Sequence, residues 1–183
     1  MLSCVREITQ RGECCAWIDA SSAFDPFSAA ANGVVLGRLL VVRCAAPHPK
    51  LTSVDKAVRA VDMIIHDGGF AMIVLDLADV APRLAQKIPM TYWYRFRRAA
   101  ETTSACFVVM GQQPFAKSCA SQVIRLETHD SEWALTRNQV RSPKLLTGVR
   151  FTAEVSGSRR ALAERKPPGH AVTEFRVPTS WAG

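Results

Sequence analysis

The amino-acid sequence predicts an α/β fold, a mainly parallel sheet flanked by helices with antiparallel strands in the C-terminal third. Three observations predict it. Short, almost wholly apolar runs at 14–19, 39–43, 71–76 and 105–110 read as strands covered on both faces, the mark of a parallel sheet. Helical stripes lie between them, and strands alternating with covering helices imply right-handed crossovers. After Gln113 the texture changes to apolar–polar alternation, the pattern of antiparallel strands with one wet face. With 183 residues, 48% apolar and 21% charged, and a mean hydropathy of +0.04, the chain is read as one globular domain, 1–183. Its parallel part is 1–113 and its antiparallel, basic part 114–183.

Leu2, Val5 and Ile8 recur at helical spacing and stop at Arg11-Gly12, so the chain opens inside a helix. CCAWID (14–19) is a buried strand ending in an acid. Asp25-Pro26 supplies an N-cap with proline at the first helical position, and Asn32-Gly33 closes that brief helix. LLVVR (39–43) is a second strand. Thr52 and Asp55 have the spacing of a capping box, with aspartate where glutamate or glutamine is usual. Val54, Ala57, Val58, Val61, Ile64 and Ile65 then form one apolar stripe ending at Gly68-Gly69. AMIVLD (71–76) is the third strand, Pro89 starts a helix through Glu101, and ACFVVM (105–110) is the fourth strand. QVIRLE (122–127), EWALTR (132–137), VRFTAEV (149–155) and VTEFRV (172–177) are the antiparallel strands, and 157–170 is an exposed loop.

The formal charge is +7 and unevenly placed: residues 1–130 hold 14 basic and 12 acidic side chains, residues 131–183 hold 9 and 4. The C-terminal excess is either a phosphate-backbone surface or a solvated basic face. Its loop residues Arg159, Arg160, Arg165 and Lys166 are the candidate DNA contacts. Six cysteines without a C-x-x-C pair read as small buried hydrophobes of a reducing cytosol, not as disulfides or a zinc site. No apolar run is long enough to span a bilayer, and Arg6, Glu7 and Arg11 interrupt the stretch a signal peptide would need. A cytoplasmic protein with no membrane partner is expected.

Asp19 and Asp76 end apolar strands, at the side of a parallel sheet where ligands bind. Such an aspartate either holds the magnesium of a nucleotide or caps the next turn. The phosphate loop G-x-x-x-x-G-K-[ST] is absent, since no glycine in the chain precedes lysine. The four histidines lack metal-ligand spacing, and neither G-x-S-x-G nor G-x-G-x-x-G occurs. Hydrolase, zinc and dinucleotide chemistries lose ground. Arg95, Arg97 and Arg98, interleaved with Tyr92, Trp93, Tyr94 and Phe96, read either as a stacking surface for single strands or as a helix with aromatics on the sheet and arginines outward.

ECCAWIDASSAFDP, NGVVLGRLLVVRC, AVRAVDMIIHDGGFAMIVLDLADV and CFVVMGQ, in that order, resemble the RecA recombinase core, and more closely its degenerate ImuA-type relatives. The resemblance spans about 10–177, with its specific part between 13 and 127. It implies that Asp76 is the magnesium-holding acid of a vestigial nucleotide site, that Gln112 is the nucleotide-sensing glutamine, and that Asp25-Pro26 starts the helix after the strand at 14–19. It also shows departures. Ser21 stands where the water-activating glutamate belongs, and a hydroxyl cannot serve as that general base. Residue 77, hydroxyl-bearing in RecA, is leucine, and only QPFAKSC separates Gln112 from the next strand, which leaves no room for the second DNA-binding loop. The first strand and phosphate loop of that fold have no counterpart, because Met1 falls where the following helix is under way. Either the fold has lost them or the start codon is set too far downstream.

The resemblance thus implies a non-catalytic accessory protein of SOS-induced translesion synthesis, working through an ImuB-like polymerase-family partner, RecA itself and non-specific DNA contact. Its only candidate cofactor is ATP with magnesium, held weakly; a nucleotide-binding, DNA-dependent RecA-family ATPase in an N-terminally truncated reading is the alternative. An inactive fragment is the third reading.

Overall fold

The computed structural model describes residues 1–45, 47–134, 145–156 and 171–178. The chain divides into two compact units, Met1–Cys119 and Ala120–Gly183. The sequence places the internal border at 113/114. It falls six residues later because Phe115 and Cys119 are buried in the core of the first unit.

In the first unit the order is α1 (Leu2–Gln10), β1 (Cys15–Asp19), α2 (Pro26–Ala31), β2 (Leu39–Arg43), α3 (Ser53–Ile65), β3 (Met72–Leu77), α4 (Pro82–Ala85), α5 (Met90–Thr103) and β4 (Cys106–Gly111). The four strands form one parallel sheet, as the apolar runs predict, and their order is β2-β1-β3-β4. Every residue of β1 and β3 is buried, while β2 and β4, at the edges, are only half covered. Side chains of opposite parity feed two cores. Ala16, Ile18, Ile73 and Leu75 pack with Val61, Ile65, Trp93 and Phe96 of α3 and α5. Cys15, Trp17, Met72 and Val74 pack on the other face with Val5 of α1 and Ala29 of α2.

Local chemistry explains the helix ends. Gly12, at φ +88°, closes α1: its N–H donates to Thr9 O at 3.1 Å, and Glu13 N–H donates to Ile8 O at 3.3 Å, a six-to-one closure that a β-carbon at residue 12 would strain. The capping box of α3 is complete although its acid is the shorter aspartate. Asp55 N–H donates to Thr52 Oγ1 at 3.1 Å, and Thr52 N–H to Asp55 Oδ2 at 2.9 Å. Pro89 caps α5 as the sequence predicts, and Trp93 and Phe96 face the sheet, where Phe96 meets Phe107 edge-on at 5.6 Å. The arginines point outward: Arg95 pairs with Asp62 at 2.8 Å and Arg97 with Glu101 at 2.9 Å. Helix α4, with proline in its first turn, escapes sequence reading because four residues carry no period.

The second unit holds an antiparallel sheet in the order β5-β6-β7, formed by β5 (Val123–Ala134), β6 (Leu145–Ser156) and β7 (Ala171–Pro178). Where the sequence suggests separate strands at 122–127 and 132–137, one strand runs through 123–134. Register shifts between Thr128 and Asp130 and between Glu132 and Trp133 absorb the break in alternation that reads as a turn. Residues 135–137 and the loop 157–170 lie outside the described residues.

The cysteine reading needs one correction. Cys15, Cys44 and Cys119 are buried, but Cys4 and Cys106 are exposed, because Cys106 begins an edge strand and Cys4 lies on the outer side of α1. All six are free thiols, and burial pushes Cys15 up to about 11, far from reactivity at neutral pH. No helix among the described residues is long and apolar enough to cross a membrane.

Candidate functional site

Parallel strands leave their carboxyl ends on one rim of the sheet, and β1 and β3 bring Asp19 and Asp76 there as direct register partners. Both side chains are buried, but they are held differently. Asp19 Oδ1 accepts from Ser21 N–H at 3.2 Å and Ala23 N–H at 3.1 Å, and its Oδ2 accepts from Phe24 N–H at 2.9 Å. Three backbone donors consume this carboxylate, so Asp19 shapes the turn after β1, in which Ser22 takes the left-handed φ of 62°. Arg43 Nη2 closes the same turn on Phe24 O at 3.2 Å. Of the two roles open to a strand-ending aspartate, Asp19 takes the turn-forming one.

Asp76 keeps more freedom. Its Oδ1 accepts one backbone bond, from Ala78 N–H at 3.0 Å. Burial raises its pKa above the ordinary carboxylate value, the Ala78 bond opposes that rise, and the neighbouring Asp19 charge adds to it. The indole of Trp17 lies on the same face, near enough to lower the Asp76 pKa slightly, yet its Nε1 makes no hydrogen bond of ordinary geometry. Ser21 Oγ is likewise buried without a partner. At the position where the resemblance calls for a glutamate, the site therefore offers a neutral, unpaired hydroxyl.

Gln112 ties the rim together. Its Nε2 donates to Ala78 O at 2.9 Å, binding the segment after β4 to the segment after β3, two residues from Asp76. Gln86 Nε2 donates to Gln113 Oε1 at 2.8 Å and anchors the same segment to the end of α4. The structure thus brings Asp76 and Gln112 into one network, and it adds two residues that sequence reasoning missed. A β-carbon on Gly111 would lie 2.5 and 2.9 Å from the Phe115 ring, so only glycine lets Phe115 fold back and plug the core under the short segment after Gln112. The spacing of a glycine and a phenylalanine around a proline was the available signal, too common to read alone.

A nucleotide needs a cradle of free N–H groups at a helix N-terminus. Three helices begin on this rim, after β1, β2 and β3; the N-termini of α2 and α3 are already occupied from within the chain, and α4 is a single turn of four residues with proline in place of one N–H donor. Asp25 accepts from Phe27 N–H at 3.2 Å and Ser28 N–H at 2.9 Å, and Asp55 closes the box of α3. The Ser28 hydroxyl bond, ahead of the backbone bonds, holds the Asp25 carboxyl below its usual range. Asp76 alone suits a magnesium-bound water, but these residues do not form the phosphate cradle that ATP requires. Among the described residues, no group of three or more histidine, cysteine, aspartate or glutamate side chains is placed to hold a metal ion. Arg159, Arg160, Arg165 and Lys166 lie outside the described residues. Within the described sheet of the second unit, Arg150 and Arg176 both pair with Glu132, at 3.4 and 2.8 Å.

No family model matches the chain, and no curated protein matches it. Among solved structures, the crystal structure of SulA from Pseudomonas aeruginosa is similar over 60% of this chain and 82% of that one, with 14% identity and a TM-score of 0.44. A likeness of that degree carries no argument about this chain.

Proposed function

We propose that this chain is a non-catalytic accessory protein on a RecA-like frame, of the ImuA type, which acts through protein–protein contacts in SOS-induced translesion synthesis. The observation that carries the non-catalytic half of this reading is the rim after β1: Asp19 is spent on three backbone N–H groups, and Ser21, an unpaired hydroxyl, stands where a general base is needed. The ordered strings named above support the family half. The partners are an ImuB-like polymerase-family protein and RecA, with non-specific DNA contact from the basic C-terminal third.

The direct test is paired. Purified chain is assayed for ATP turnover with and without DNA, and for capture of a purified ImuB-like protein. Turnover at the level of a blank together with specific capture is expected; turnover that Asp76→Asn abolishes would overturn the non-catalytic reading. DNA affinity should fall about 0.9 log units per log unit of salt for each neutralised phosphate. Unchanged affinity and salt slope after replacing Arg159, Arg160, Arg165 and Lys166 with alanine would remove the loop from the DNA surface.

A second reading has one observation in its favour. Asp76 retains an oxygen without a backbone donor, and Gln112 remains linked to its loop, as in a working nucleotide sensor. Calorimetric titration with ATP and magnesium separates the two, since the accessory reading expects no saturable heat.

A further inference from the structure

The sheet of the second unit has two unlike faces. Paired positions place Arg125, Glu154, Glu174 and Arg176 on one side, where Arg176 and Arg150 meet Glu132. The opposite side, among the described residues, carries no charged group. Ile124 and Leu126 of β5, Phe151 of β6, and Phe175 and Val177 of β7 share it, with Phe151 and Phe175 stacked at 5.6 Å. Beyond the register shifts, Trp133 continues the same row. Five of its side chains are exposed: Ile124 is 60% exposed, Leu126 59%, Trp133 51%, Val177 44% and Phe175 38%.

Such a face is unusual for a sheet of three strands, which gains stability by packing its apolar side against a second layer. At about 4.8 Å per strand and about 3.4 Å per residue, three strands over eight residues present a plane of roughly 400 Å². That is the size of the largest apolar patch on a typical monomer, about 300–600 Å², a patch that is often functional.

We propose that this face is closed by the same face of a second copy of the chain, giving a two-fold sandwich of two three-stranded sheets. Self-pairing fits what the face is made of. A two-fold axis brings each residue of the patch against the patch itself, and a patch without charge then buries no ion and sets no like charges together. Two such planes with their flanking side chains remove on the order of 1,000 Å² from water, the lower bound for a specific interface. Aligned packing of twisted sheets about 10 Å apart accommodates aromatic and aliphatic side chains of this kind. The proposal stands independently of the accessory-protein reading, because it requires no partner of another sequence.

The experiment is sedimentation of the full chain from about 1 to 100 µM, compared with two variants. The expected result is a dimer of the 20.1 kDa chain. Leu126→Glu, which puts two carboxylates into the interface, should weaken association at least about 100-fold. Val172→Glu, on the charged side and itself 61% exposed, should leave it unchanged. Should Leu126→Glu fail to fold by circular dichroism, amide exchange of the natural chain decides: protection of β5–β7 must rise with concentration. A natural chain that stays monomeric at the top of the range overturns the proposal. So does a Leu126→Glu variant that remains dimeric, or an equal loss in both variants.

Discussion

The two units bury their apolar residues by different means. In the first, β1 and β3 are covered on both faces, and Phe96, wholly buried, meets Trp93, Tyr92 and Phe107 at ring distances of 5.6 to 6.1 Å. In the second, Phe151 and Phe175 stack on one face of the antiparallel sheet, Phe151 partly buried and Phe175 exposed. The same residue type at the same kind of aromatic contact therefore has unequal worth. Deleting a buried ring forfeits its transfer free energy and leaves a cavity behind, whereas deleting a half-exposed one does little of either.

The largest expected effect tests that contrast directly. Phe96→Ala should cost the first unit about 3–5 kcal/mol, against about 1 kcal/mol for Phe175→Ala in the second, measured at a dilution where the chain is single and Phe175 is 38% exposed. Urea unfolding followed by segment-resolved amide exchange reads both. Equal losses would mean that the second unit's sheet is buried as deeply as the first.

Next comes the close approach at the end of β4. Gly111→Ala should cost about 1–3 kcal/mol by displacing the Phe115 ring. Adding Phe115→Leu should make the pair less costly than the sum of the single changes, a coupling that a double-variant cycle measures. Strict additivity would show that the two residues do not meet.

Acid titration separates two kinds of carboxylate within the first unit. Asp76 has a raised pKa when folded, so the folded state binds more protons than the unfolded one in the window above 3.8, and its contribution to stability falls as pH rises through that window. Asp76→Asn should flatten this dependence and leave the chain at least as stable as the natural one at pH 7. Asp55 is the opposite case. The Thr52 hydroxyl and then its N–H lower the Asp55 pKa, so its contribution is present above the ordinary value and is lost as pH falls through the lowered one. Thr52→Ala should cost about 1 kcal/mol at neutral pH and less in acid. A natural chain whose stability rises monotonically from pH 3 to 7, with Asp76→Asn following the same curve, would contradict the assignment for Asp76.

The smallest effect is expected on the charged side of the second unit. Arg176→Ala should cost about 0.2–1 kcal/mol, diminishing with salt, since Arg176 and Glu132 are both partly exposed and Arg150 remains to pair with the carboxylate. A larger loss would show that the network is shielded from water.

Much of the frame was legible in the residues. The four parallel strands, the Arg11-Gly12 and Asn32-Gly33 helix ends, the Asp25 cap and the Thr52–Asp55 box follow from period and capping chemistry, which act over a few residues and need no distant partner. Residues 128–131 misled because a bulge and a turn share the same polar composition, and only the register against β6 distinguishes them. Asp19 and Asp76 look alike in sequence, each closing an apolar run. Their difference lies in how many backbone donors the following turn directs at each, three for Asp19 and one for Asp76.

Neighbouring residues suffice for the four parallel strands, the longer helices, their α/β order and the lack of a phosphate-loop motif, because periodicity, caps and missing glycine–lysine pairs are properties of short stretches of chain. The tertiary structure alone decided that Gln112 holds Ala78, that Gly111 must admit Phe115, and that Asp19 is spent on its own turn while Asp76 is not. It also decided which sheet leaves apolar side chains exposed within the single chain. Each of these depends on which groups meet across tens of residues, and on how much water is left between them, quantities that no local pattern encodes.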